Sequence, residues 1–176
     1  MGNKKGTEVA ERIKHQEEKD YYIACRCLRD IFSGMELEIK ESEPYASVDL
    51  ICSGIDKVSN KKIRFNVEVK ERNKARYLIK RYPDVQLRVD KYKRMREYSG
   101  KGVKLYYMVL LNQSECYLFD LDEIDFSNIK TNTSYLRVVQ EDKNSKMKTY
   151  VLYNIPYRLA KYKIRCGKYF QEWNNN

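Results

Sequence analysis

The chain has 176 residues, 42% of them hydrophobic and 34% charged, which is enough apolar material for one sizeable core beneath a wet surface. No stretch reaches the length of a membrane span and the start carries no signal-peptide pattern, so a cytoplasmic protein with no membrane partner is expected. A single histidine and five cysteines without C-x-x-C spacing leave too few ligands for a structural zinc site. They also leave no Cys-His or Ser-His nucleophile pair, so the available chemistry narrows to carboxylates and lysine.

From Thr7 to Phe32 apolar residues recur at helical spacing, among them Ala10, Ile13, Tyr21, Ala24, Leu28 and Ile31. This predicts one long helix, ended by Ser33-Gly34. Glu17 falls near the middle of that stripe, where a carboxylate needs a reason to be. Met35, Leu37 and Ile39 alternate as an edge strand, and Pro44 marks the turn into the next.

The stretch from Ser47 to Arg72 carries the most chemistry. Ser47 to Cys52 and Ile63 to Arg72 read as two strands joined by a polar turn at Ser59-Asn60-Lys61. In the second, Phe65, Val67 and Val69 face one way and Asn66, Glu68 and Lys70 the other, because strand side chains alternate. A hairpin between the two strands brings Asp49 opposite Glu68 and Lys70. An Asp, a Glu and a Lys so placed make a compact divalent-metal site. Hard oxygen ligands suit Mg²⁺ (or Mn²⁺), and the lysine orients a water or stabilises charge on a phosphate.

Charge is unevenly spread. Residues 1–69 hold 12 basic against 13 acidic side chains, residues 70–104 hold 13 against 4, and residues 105–176 hold 10 against 8. A basic block directly after a cluster of acids suits a polyanion that is drawn in and then cut, with DNA as the expected partner. Within it, Arg72, Lys74, Arg76, Lys80 and Arg81, with Tyr77 interleaved, are the candidate grip on a nucleic-acid backbone.

A second helix is expected from Asp84 to about Tyr98, with Val85, Val89, Tyr92 and Met95 on its buried face and Ser99-Gly100 as its stop. The unbroken apolar run Val103 to Leu111 predicts a central strand covered on both faces, and Glu115 to Leu121 the next. Beyond it, Tyr135–Val139 and Lys148–Tyr153 are expected to pair as a hairpin. Tyr157 to Ile164 follows as a short basic helix. Tyrosines 150, 153, 157, 162 and 169, with Phe170, recur there among basic residues, as suits a second nucleic-acid contact or sheet packing.

Asp49 followed by Glu68-Val69-Lys70, in this order of elements, resembles the PD-(D/E)XK nuclease superfamily, with Val48 in the place of the motif's proline. The resemblance covers the first two-thirds of the chain. It implies an α/β, restriction-endonuclease-like αβββαβ core with a mixed central sheet over residues 7–124. A C-terminal β-hairpin and short helix over 125–176 would belong to the same single domain. It also implies a Mg²⁺-dependent endonuclease acting on DNA: Asp49 and Glu68 on the metal with the Val69 carbonyl as a third ligand, and Lys70 on the attacking water. Members carry a metal-site glutamate on the first helix, which points to Glu17. Glu11 is the runner-up, because residues 6–13 loosely resemble the start of archaeal Holliday-junction resolvases. Several branches place a glutamine or lysine on the second helix, which adds Gln86, and a homodimer would suit cutting of both strands. Two further readings stay open: a non-catalytic nucleic-acid-binding module on the same fold, and a protein-interaction component.

Overall fold

The apolar run after residue 103 forms the middle of the structure. The computed structural model describes residues 4–74, 81, 83–138 and 146–175. In chain order its elements begin with helix α1 (Lys4–Ile31) and strands β1 (Met35–Glu41), β2 (Leu50–Asp56), β3 (Lys62–Arg72) and β4 (Asp84–Arg88). Helix α2 (Val89–Ser99), β5 (Lys104–Leu111), β6 (Glu115–Asp120), β7 (Thr131–Val138) and β8 (Lys146–Pro156) follow, then β9 (Tyr162–Arg165) and helix α3 (Gly167–Asn174). The main sheet runs β1-β2-β3-β5-β6-β9 and a smaller one runs β4-β8-β7. β3 and β5 are parallel, and every other pairing in the main sheet is antiparallel, so the fold is α/β with a mixed central sheet. No described helix is long and apolar enough to cross a membrane.

β5 shows why its sequence lacks alternation. Tyr106, Met108 and Leu110 belong to a core shared with α1 and α3, where Ile23, Leu28, Phe65, Val67 and Tyr169 are buried. Leu105, Tyr107, Val109 and Leu111 belong to a second core with Met95 of α2 and Val85, Leu87 and Ile155 of the small sheet. A strand buried on both faces must be apolar at every position. Gly54 lies inside β2, where a Cβ would stand 3.0 Å from Leu37 Cδ1 and 3.2 Å from Glu36 O of β1. The close approach of the edge strand keeps that position bare.

Two expected helices differ from the structure. Asp84–Arg88 is a strand, because Val85 and Leu87 are buried while Gln86 between them is exposed, and β8 supplies the hydrogen-bond ladder. Val85 and Val89 are spaced to suit either period, and pairing decided for the strand. The helix then runs from Val89 to Ser99, and Gly100 closes it at φ 71°, with its N–H donating to Arg96 O at 3.2 Å. Near the C-terminus only Tyr157–Leu159 makes a 3₁₀ turn; Tyr162–Arg165 extends the main sheet, and the final helix is α3. Tyr169 and Phe170 are buried in the core. Lys161 pairs with Asp120 at 3.1 Å and Lys163 with Glu115 at 2.8 Å, so much of that segment serves packing. β7 and β8 do pair as an antiparallel hairpin. All five cysteines are free and buried.

Candidate active site

β2 and β3 pair in the register Leu50↔Val67, which sets Asp49, one residue before β2, beside Glu68. Two bonds fix Asp49: its N–H donates to Val67 O at 2.9 Å, and its Oδ2 accepts from the Val69 N–H at 2.6 Å. Phe65 and Val67 are buried on the α1 side, while the other face of β3 turns to α2. There Asn66 Nδ2 donates to Ser99 Oγ at 2.9 Å, and Lys91 Nζ lies 2.9 Å from Glu68 Oε2. Lys70 continues this face, exposed at the end of the strand.

The Glu68 and Asp49 carboxyls lie within hydrogen-bonding reach of each other. Burial, with the Asp49 charge second, pushes Glu68 up to about 7 against the opposing pull of Lys91. Glu68 Oε2 is withdrawn from solvent and makes no hydrogen bond to any described group, so its contact with Lys91 is an ion pair alone. An oxygen in that position has an acceptor site to spare.

An open cleft of about 1170 Å³ joins these residues to α1 and to the loop before β2. Glu17, Asp49, Glu68, Val69 and Lys70 all line it. So do Asp20, Glu41 and Glu43, which leaves Lys70 as the one cation among the described lining residues. Glu17 is exposed at the cleft wall, and Glu11 is exposed without a place in the lining.

Three α1 residues, Gln16, Lys19 and Asp20, form a polar cluster with Glu71 at the end of β3. Lys19 is 9% exposed, and its Nζ lies 3.1 Å from both Glu71 Oε2 and Gln16 Oε1. Gln16 Nε2 donates to Asp20 Oδ1 at 2.8 Å and to Glu71 Oε2. Burial, and then the neighbouring Glu71 charge, pushes Asp20 up to about 6, with Lys19, Gln16 and Lys70 pulling the other way. Burial alone would raise Glu71 too, but hydrogen bonds from Lys19, Gln16 and Gln113 bring it below the usual carboxylate range. A signal for these residues was present: counting back from Ile23, Ala24, Cys27 and Leu28 by threes and fours reaches 20, 19 and 16, though it reaches 17 as well.

None of the described residues of the expected backbone grip lines the cleft. Arg72 ends β3 beside the Tyr107 hydroxyl, which donates to Gln86 O at 3.2 Å. Lys74 is tied down: its N–H donates to Asn112 Oδ1 at 2.6 Å, its Nζ to Asp84 O at 2.9 Å, and the ammonium sits 5.6 Å from the Tyr157 ring centre. Arg81 is exposed; Arg76, Tyr77 and Lys80 lie outside the described residues. Gln86 is exposed on β4, and the helix side chain that meets Glu68 is Lys91.

As a metal site the donors are two adjacent carboxylates, one with a buried oxygen whose contact is the Lys91 ion pair. This fits Mg²⁺, which often takes one or two carboxylates and keeps its waters. Among the described residues no three His, Cys, Asp or Glu side chains group closely enough to hold an ion by themselves. Comparison with known protein families, with curated proteins and with solved structures finds no match to this chain.

Proposed function

We propose that the chain is a Mg²⁺- or Mn²⁺-dependent endonuclease that hydrolyses phosphodiester bonds in DNA, built on a PD-(D/E)XK-type core. The observation that carries this is the Asp49–Glu68 carboxylate pair at one end of the β2–β3 hairpin, with Lys70 beside it in an open cleft. The element order supports it as well: a helix, three antiparallel strands, a crossover through α2, and a strand parallel to β3.

A bound divalent ion supplies Lewis-acid polarisation of the phosphate and lowers the pKa of water. Asp49 and Glu68 would hold it through their carboxylate oxygens, Asp49 being aimed by the Val69 N–H. Lys70 orients the attacking water or takes up charge on the phosphate as the P–O bond breaks. Lys91 balances the buried Glu68 charge from the α2 side, and Asp20 and Glu17 extend the acidic wall.

Supercoiled plasmid incubated with the protein and Mg²⁺ or Mn²⁺ is expected to be nicked. EDTA and Lys70→Ala should each abolish the nicking. A plasmid retarded on the gel but left intact would favour a non-catalytic binding module, and one neither cut nor retarded would favour a protein partner.

A further inference from the structure

Tyr45 stands apart from the other aromatic residues. Its relative exposure is 105%, so the ring contributes nothing to either core. Its φ is +68°, a left-handed conformation in which a bulky side chain is strained and Gly or Asn is the stabilising choice. It is the one described aromatic with positive φ. A residue that is both costly to hold and unused in packing calls for a role outside the fold.

Its position is fixed rather than loose. The loop is clipped at its base, where Ser42 N–H donates to Asp49 O at 2.9 Å and Ser42 Oγ donates to Val48 O. A turn closed by Ala46 N–H to Glu43 O at 3.1 Å then presents Tyr45 at the wall of the cleft that holds Asp49, Glu68 and Lys70. The clip uses the backbone of Asp49 itself, so ring and carboxylate pair share one anchor.

The chemistry of the loop selects the ligand. Glu41 and Glu43 precede Tyr45 on the same wall, so its charge disfavours a phosphate there, and the uncharged group it exposes most fully is the Tyr45 ring. Such a face takes a nucleobase. A base inside a duplex already has both faces stacked and cannot take the ring, whereas an unpaired one can. Resting on the nuclease reading, we propose that Tyr45 is the stacking platform for an unpaired nucleotide next to the scissile phosphate, so that the preferred substrate is single-stranded DNA.

The test uses a fluorescent single-stranded oligonucleotide and its blunt duplex, with Mg²⁺, in a Lys70→Ala background so that bound strands stay whole. Tyr45→Gly is expected to weaken single-strand binding roughly tenfold and leave duplex binding unchanged, while Tyr45→Phe keeps both. The glycine relieves the backbone, so the melting temperature holds or rises, which separates lost stacking from lost fold. Single-strand affinity unaffected by Tyr45→Gly, or duplex affinity falling by the same factor, would overturn the proposal. If either result comes with wild-type protein that still cuts plasmid, the nuclease reading stands without it. If wild type neither cuts nor binds DNA of either form, both fall together.

Discussion

Asp49 and Lys70 sit at the ends of well-paired strands and carry little of the fold's energy. Asp49→Asn keeps an acceptor for the Val69 N–H, and Lys70 is exposed. Each substitution is therefore expected to lower plasmid nicking by about a hundredfold or more while moving the melting temperature by no more than a degree or two. Nicking that survives both changes would remove these residues from the site. Asp20 behaves differently, because its folded value near 6 stands above the ordinary 3.8. The folded chain binds this proton more tightly than the unfolded chain does. Stability from this group is thus fully present below about pH 4, falls as pH rises to about 6, and stays lost above it. Allowing for solvent screening of a partly exposed group, Asp20→Asn should gain roughly 1 kcal/mol at pH 8 and almost nothing at pH 4. Equal gains at both pH values would mean that the carboxylate is not strained by its charge.

At the scale of elements, α1 is joined to β3 by the Lys19–Glu71 pair, whose side chains are 11% and 10% exposed. Breaking such a pair leaves a buried charge, so Lys19→Met should cost about 3 kcal/mol. Lys19→Met with Glu71→Leu should recover most of it in a double-mutant cycle read by denaturant unfolding. Additive losses would show that the pair is not coupled. This joint also marks the limit of what the sequence discloses. The alternation Phe65-Asn66-Val67-Glu68-Val69-Lys70 was legible because one period holds throughout, and so was β5, whose unbroken apolar run has only one reading in a layered fold. Asp20 was hidden because its stripe drifts across a 28-residue helix, and a reading phased on Ile13 and Tyr21 lands on Glu17. β4 was hidden because Val85 and Val89, four apart, also fit a helix stripe, and its partner residues in β8 lie 64 to 72 positions on. Local pattern cannot report a ladder made with so distant a strand.

For the whole molecule, a net charge of +10 coexists with a cleft whose described lining residues include six carboxylates, Glu17, Asp20, Glu41, Glu43, Asp49 and Glu68, against Lys70. Such a cleft admits a polyanion only once cations have entered it. Added Mg²⁺ or Mn²⁺ should accordingly raise the melting temperature, by up to about 2.7 kcal/mol of stabilisation at a hundred times the dissociation constant. No shift at millimolar metal would count against an assembled pair of ligands. The sheath of two cores around β5 has a kinetic consequence. Its amides can exchange with solvent only when both cores open, so the Met108 N–H should be among the slowest to take up deuterium, at the rate of global unfolding. β3, laced to β5 over eight residue pairs, inherits that protection. Asp49 is bonded to β3 in turn, its N–H donating to Val67 O and its Oδ2 accepting from the Val69 N–H. Both carboxylates therefore belong to the slow-exchanging part of the fold, so their spacing is kept between one opening of the whole protein and the next.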